Sequence, residues 1–143
     1  MTTVKNVLRT KGSDTLSVDP SLPVRDALRK MMSNNVGSLL VLDGGRLVGL
    51  FAERDFVRVA AAEGAISLDA CVGDVMVEDV LYVCPDTTLD ECMALMTERR
   101  TRHLPVLEDE EVVGIVSIGD VVKQTIEDKE FIIGQLERYI AGR

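Results

Sequence analysis

Two stretches decide the fold: Leu47-Val48-Gly49-Leu50-Phe51-Ala52-Glu53-Arg54-Asp55 and Val112-Val113-Gly114-Ile115-Val116-Ser117-Ile118-Gly119-Asp120, set 65 residues apart. Each runs from an apolar β-type segment through a polar junction to an acid. Sliding residues 18–56 onto 83–121 needs no gap. The overlay pairs Val18/Val83, Pro20/Pro85, Met31/Met96, Leu39/Leu104, Val41/Val106, Leu42/Leu107, Val48/Val113, Gly49/Gly114 and Asp55/Asp120 as identities. Other positions exchange one apolar residue for another, as in Leu28/Met93, Leu50/Ile115 and Phe51/Val116. An apolar pattern kept at fixed spacing means that one element buries the same face twice. The chain is an internal duplication.

Working outward, each copy opens with a short β-type run, residues 16–18 and 81–83, closed by a Pro two positions later. A helical stripe follows: Val24, Ala27, Leu28, Met31 and Met32 in one copy, Leu89, Cys92, Met93 and Met96 in the other. The i, i+3, i+4, i+7 spacing gives each helix one apolar face for packing. Pro23 suits a first helical turn, and Asp26, Asp90 and Glu91 suit the positive end of the dipole. Two strands and a tight turn come next, at 39–42 and 47–51, then at 104–107 and 112–117. Gly44-Gly45 supplies the positive φ values of a short hairpin, while the acidic turn 108–111 does so less obviously. A second helix closes each copy: Glu53–Glu63 ended by Gly64, and a run from Ile118 that reaches Ile140 before Gly142. The expected class is mixed α+β, two β-α-β-β-α units packed sheet to sheet because neither has a robust core alone.

The 143 residues are 46% apolar and 28% charged, a globular composition, with a net charge of −8. So acidic a surface disfavours nucleic-acid backbones. No apolar run approaches a membrane span, and the N-terminus shows no signal-like apolar segment. A cytoplasmic protein is expected. Cys71, Cys84 and Cys92 have no metal-ligand spacing and read as buried free thiols, so neither a disulfide framework nor a metal site is expected. The final helix carries Phe131, Ile132, Ile133, Leu136, Tyr139 and Ile140 beyond what one repeat requires, which predicts a second subunit covering it, a homodimer.

Enzyme motifs are absent. His103 is the only histidine and has no nucleophile at a recognisable spacing, so no catalytic residue is assigned. Two clusters invite a ligand. Arg99, Arg100, Arg102 and His103 crowd one helix-to-strand turn, and arginine suits phosphate. Ser117-Ile118-Gly119-Asp120 places a hydroxyl and an acid at a strand-to-helix junction, where a helix cap explains Ser117 but not the matched Asp55 and Asp120.

Arg102-His103-Leu104-Pro105-Val106, residues 113–120 and residues 49–55 together resemble the tandem cystathionine β-synthase (CBS) domain pair. Residues 136–140 resemble the tail of small stand-alone bacterial CBS-pair proteins. The resemblance covers about residues 4–126, dividing the chain into repeats at 4–68 and 69–126 and an extension at 127–143. It implies a pseudo-twofold pair with two inter-repeat clefts for adenine nucleotides. Asp120 with Ser117, and Asp55, would hold ribose hydroxyls. Thr101, Leu104, Pro105, Val80 and Ile115 would wall one adenine pocket; Thr15, Val36, Gly37, Ser38, Leu39 and Leu50 would wall the other. Arg102 and His103 would meet the phosphate of the nucleotide seated on Asp55, with Arg54 serving either cleft. These cations neutralise about two charges, which ranks AMP or NAD(H) above ATP or ADP, with S-adenosyl compounds a further option. The implied role is a non-catalytic sensor acting on an effector protein, against the alternative of a ligand-free scaffold that contacts a partner through the last helix.

Overall fold

The structure is a computed structural model describing residues 1–64 and 68–142. Residues 65–67 and 143, assigned above to the first repeat and the extension, lie outside the described residues. The elements are α1 (Val4–Lys11), β1 (Ser17–Val18), α2 (Val24–Asn34), β2 (Ser38–Asp43), β3 (Arg46–Ala52), α3 (Glu53–Glu63), α4 (Val72–Val75), α5 (Leu89–Arg99), β4 (His103–Glu108), β5 (Glu111–Ser117) and α6 (Ile118–Ala141). The first sheet is β1-β2-β3, with β1 parallel to β2 and β3 antiparallel; β4 and β5 form the second.

The duplication reaches down to irregularities. Both hairpins slip register at the same place, between Val41 and Leu42 and between Val106 and Leu107. Both stripe helices end in a left-handed residue, Asn35 and Arg100, each at φ 53. Val36 and Thr101 then donate their N–H groups to the carbonyls of the identical residues Met31 and Met96.

Several expectations need correction. Pro23 is the N-cap of α2, one position before its first turn. The β-type run at 81–83 narrows to a single bridge, in which Val83 pairs with Val106. Met32 lies off the packing face and is exposed. Of the three thiols only Cys92 is buried; Cys84 is exposed and Cys71 intermediate. Burial pushes the Cys92 thiol up to about 11, with the Glu91 charge adding to it.

The acidic hairpin turn reaches the same geometry as Gly44-Gly45 without glycine. Asp109 and Glu110 sit at φ 52 and 68, a left-handed pair that costs side-chain-bearing residues energy. Replacing Asp109-Glu110 with Asn-Gly, the pair this turn favours, should stabilise the fold by about 1 kcal/mol. Thermal unfolding checks it; an unchanged or lower Tm would mean that the acids make compensating interactions.

Two cores form, and each closes with a helix from the other half of the chain. Val18, Val24, Ala27, Met31, Leu39, Val41 and Phe51 pack with Val72 and Val75 of α4. Val83, Leu89, Cys92, Met96, Leu104, Val106, Val116 and Val121 pack with Val4 and Val7 of α1. Neither short helix is foreseen by the repeat pattern. The paired glycines mark where these segments cross the sheets. A Cβ on Gly49 would stand 2.3 Å from Met76 Sδ and 3.0 Å from the Val77 carbonyl oxygen; one on Gly114 would stand 2.8 Å from Leu8 Cδ2. Close approach, rather than backbone conformation, accounts for glycine here.

The last helix, α6, has 24 residues and so runs about 36 Å. Val121 is its buried residue, whereas Val122, Ile126, Phe131, Ile132, Ile133, Leu136 and Ile140 are exposed. Thr2 Oγ1 donates to Asp128 Oδ2 at 2.7 Å, tying the middle of the helix to the N-terminus. Among the described residues no helix is long and apolar enough to cross a membrane.

Candidate functional site

A cavity of about 400 Å³ opens between the repeats, within the usual size range of small-molecule sites. Thr15, Leu16, Val36, Gly37, Ser38 and Leu40 line it from the first half, with Lys11, Asp14, His103, Ile115 and Ser117 completing the wall. Strand alternation explains the selection. Ser38 and Leu40 share one face of β2, while Leu39 between them is fully buried in the first core. Leu104 is likewise turned into the second core. Pro105 pairs with Ile115 across the ladder and is buried. Leu50 pairs with Leu40 and exchanges both backbone hydrogen bonds with Val77, so it backs the cavity rather than lining it. Val80 and Thr101 are half-buried; the Thr101 hydroxyl donates to the His103 carbonyl at 3.1 Å.

At the start of α6, the Asp120 N–H donates to Ser117 Oγ at 3.2 Å, and Asp120 Oδ2 accepts the Ser117 N–H at 2.9 Å. This is a capping box. At the start of α3, Asp55 Oδ2 accepts the Ala52 N–H at 2.8 Å, the same half of that motif. The expectation that capping leaves the matched aspartates unexplained is therefore overturned: both hold the first turn of their helix. Ala52 lacks the hydroxyl that completes the box. Asp55 is almost fully buried, and its Oδ1 lies 3.5 Å from Arg58.

The Asp120 carboxylate has a partner that sequence spacing did not suggest. Lys11, the last residue of α1, donates from Nζ to Asp120 Oδ2 and to the Ile115 carbonyl at 2.7 Å. Burial alone would raise the Asp120 carboxyl, but the bonds from Lys11 and from Ser117 outweigh it. Its pKa lies below the ordinary carboxylate value. His103 sits across the ladder from Ser117. Burial first, then the Lys11 and Arg102 charges, lowers its pKa against the pull of Asp120, which favours the neutral imidazole.

The basic turn splits accordingly. His103 lines the cavity on the Asp120 side of the pair. Arg102 is exposed, and its carbonyl accepts the first N–H of α6 at 2.9 Å. Arg54, next to Asp55, reaches across the pair to donate to the Arg100 carbonyl at 3.3 Å. Chemically, the cavity wall offers apolar and hydroxyl groups, the Asp14 carboxylate, the Lys11 ammonium and an imidazole that burial shifts toward its neutral form, with the Asp120 carboxylate joined to it through Lys11. That is equipment for recognition.

Comparison with known proteins matches the CBS domain at residues 4–62 and again at 72–127. The chain is 37% identical to the mitochondrial CBS domain-containing protein CBSX3 of Arabidopsis thaliana over 99% of this chain and 73% of that protein. It is 29% identical to the CBS domain-containing protein YhcV of Bacillus subtilis, covering 85% of this chain and 84% of that one. A CBS-domain containing protein of Agrobacterium tumefaciens superposes with a TM-score of 0.83 at 38% identity, covering 87% and 99% of the two chains. The CBS pair of protein MJ0100, crystallised with 5′-methylthioadenosine and S-adenosyl-L-methionine, shares the fold at 22% identity and a TM-score of 0.77, over 90% of this chain and 98% of that one. Duplication, shared irregularities and these matches agree: the chain belongs to the CBS-domain family, as a tandem pair of its regulatory repeats with a long C-terminal helix.

Proposed function

We propose that the protein is a non-catalytic sensor of an adenine nucleotide, AMP or an NAD(H)-type dinucleotide, acting as a cytoplasmic homodimer on a separate effector protein. One observation carries the reading. The cavity between the repeats sets an uncharged wall of Thr15, Val36, Gly37 and Ser38 opposite Ser117 and His103, with the Asp120 carboxylate joined to it through Lys11. Such a wall suits a purine, and an ionised carboxylate accepts the two hydroxyls of a ribose. A single lysine beside a neutral histidine matches a monophosphate, or a pyrophosphate with help from exposed Arg102, better than a triphosphate. ATP, ADP and S-adenosyl compounds rank below these on charge. Asp55, with Arg54 beside it, is the corresponding ribose group of the second cleft. A ligand acts on such a pair only by preferring one arrangement of the repeats over another.

The test is calorimetry with AMP, ADP, ATP, NAD⁺, NADH and S-adenosylmethionine, on the native protein and on Asp120→Asn and Asp55→Asn. Asparagine keeps an acceptor for the capping N–H and removes the charge. Asp120→Asn should weaken the best ligand by about 1.5–3 kcal/mol, the worth of hydrogen bonds to a charged group. Unchanged affinity in both variants removes the site assignment.

A second reading has its own observation. The exposed apolar side chains of α6 suit a protein contact. A ligand-free scaffold docking through that helix would show no heat with any nucleotide yet keep its assembly.

A further inference from the structure

The ammonium in the cavity wall is already engaged: Lys11 Nζ is bound to Asp120 Oδ2 and to the Ile115 carbonyl. Resting on the reading of this cleft as a nucleotide site, we propose that Lys11 is a displaceable latch that makes the cleft select 5′-phosphorylated nucleosides over bare nucleosides. A ribose diol and the Lys11 ammonium compete for the same carboxylate. A nucleoside that takes Asp120 breaks this ion pair and offers the ammonium, whose side chain is 31% exposed, no anion in exchange. A ligand that also brings a phosphate gives the displaced ammonium a new anionic partner. The lysine thus penalises one ligand class and rewards the other from a single position.

The arrangement around it supports this role. Lys11 closes α1, whose Val4 and Val7 are anchored in the second core, so its backbone is held in place while its long side chain swings. Ion-pair exchange then needs only a rotamer change. The other ionisable residues lining the cavity are Asp14, which is exposed, and His103, held toward the neutral form by burial and by Lys11 itself. Lys11 is therefore the principal cation within the cavity wall.

The device is confined to one cleft. Leu8 lies on Gly114 as Met76 lies on Gly49, so these crossings are equivalent. Three residues beyond Leu8 stands Lys11; three beyond Met76 stands Asp79. The Asp55 carboxylate is partnered instead by Arg58, from its own helix. The second cleft thus has an acid where the first has its lysine, and its Asp55 is met by an arginine of the same helix, so a latch carried by a crossing segment stands at Asp120.

Calorimetry with AMP and adenosine, on the native protein, Lys11→Met and Lys11→Arg, tests it. Methionine keeps the unbranched stem and removes the charge. The AMP-over-adenosine preference should fall by about tenfold or more in Lys11→Met, with adenosine binding as tightly as before or more tightly. Lys11→Arg should retain the preference. In an Asp120→Asn background, Lys11→Met should no longer tighten adenosine, because no carboxylate remains to be unmasked. The loss of AMP preference should shrink as salt is raised. An unchanged preference in Lys11→Met, with both ligands still bound, overturns the latch and leaves the nucleotide reading intact. Native protein that binds neither ligand overturns the latch, and if NAD⁺ and NADH also give no heat it overturns the nucleotide reading as well.

Discussion

Deleting residues 1–11 should unfold the second repeat and spare the first. Val4 is fully buried and Val7 nearly so, both among Val83, Leu89, Cys92, Met96, Leu104, Val106, Val116 and Val121. Each buried valine is worth about 1.5–3 kcal/mol. The same segment supplies ladder-like hydrogen bonds: Val4 N–H to Thr87 O at 2.8 Å, Lys5 N–H to Pro85 O at 2.9 Å and Leu89 N–H to Thr2 O at 3.2 Å. At about 1 kcal/mol net apiece, the total is comparable to the whole stability of a small domain. Removing Leu8 also empties the space above Gly114. Hydrogen exchange reads the result. Amides of β4 and β5 should lose protection, while those of β2 and β3, whose core closes with α4, should keep most of theirs. Earlier loss in β2 and β3 would refute the exchange of helices between halves.

Truncation after Lys129 should convert the proposed dimer into a monomer without unfolding either repeat. Both hydrophobic cores are complete by Val121, and a cut at this point keeps the bond between Thr2 and Asp128. What it removes is an exposed apolar run: Phe131 is 63% exposed, Ile132 56% and Leu136 58%. Three residues of this size, buried against a twofold mate, contribute about 1.5–3 kcal/mol each per protomer. Even after association costs, their loss should weaken the dimer by several orders of magnitude. Light scattering at micromolar concentration decides between outcomes. A truncated chain that remains a tight dimer places the interface on the repeats, and one that unfolds makes the tail part of the core.

Much of this was legible in the sequence because duplication is a local signal read twice. The order of the hairpins and long helices follows from periodicity and punctuation. Gly64 ends α3 at φ 79, and Ile118 starts α6. Of the chemistry-bearing residues of the second junction, Ser117 and His103 line a cavity with Thr15, Val36, Gly37 and Ser38, while Asp120 is tied to that cavity through Lys11. Other features were invisible. Alternation along β2 chose Leu40 over Leu39 for the cavity, a choice of face that an unbroken apolar run does not encode. The capping work of Asp55 and Asp120 is a backbone hydrogen bond, which a motif match cannot tell from a ligand site.

The largest gap lies in partnerships that span the chain. Periodicity fixes which face of α1 is apolar, but not that this face covers the second core, nor that Lys11 at its end meets Asp120, 109 positions away. Side-chain spacing carries information over a few turns of helix or a few residues of strand. Which half of a duplicated chain a terminal helix joins is set by the relative burial and strain of two nearly equivalent docking faces. Here that balance put α1 over Gly114 and the Met76-Val77 segment after α4 over Gly49, and so placed the cavity's lysine.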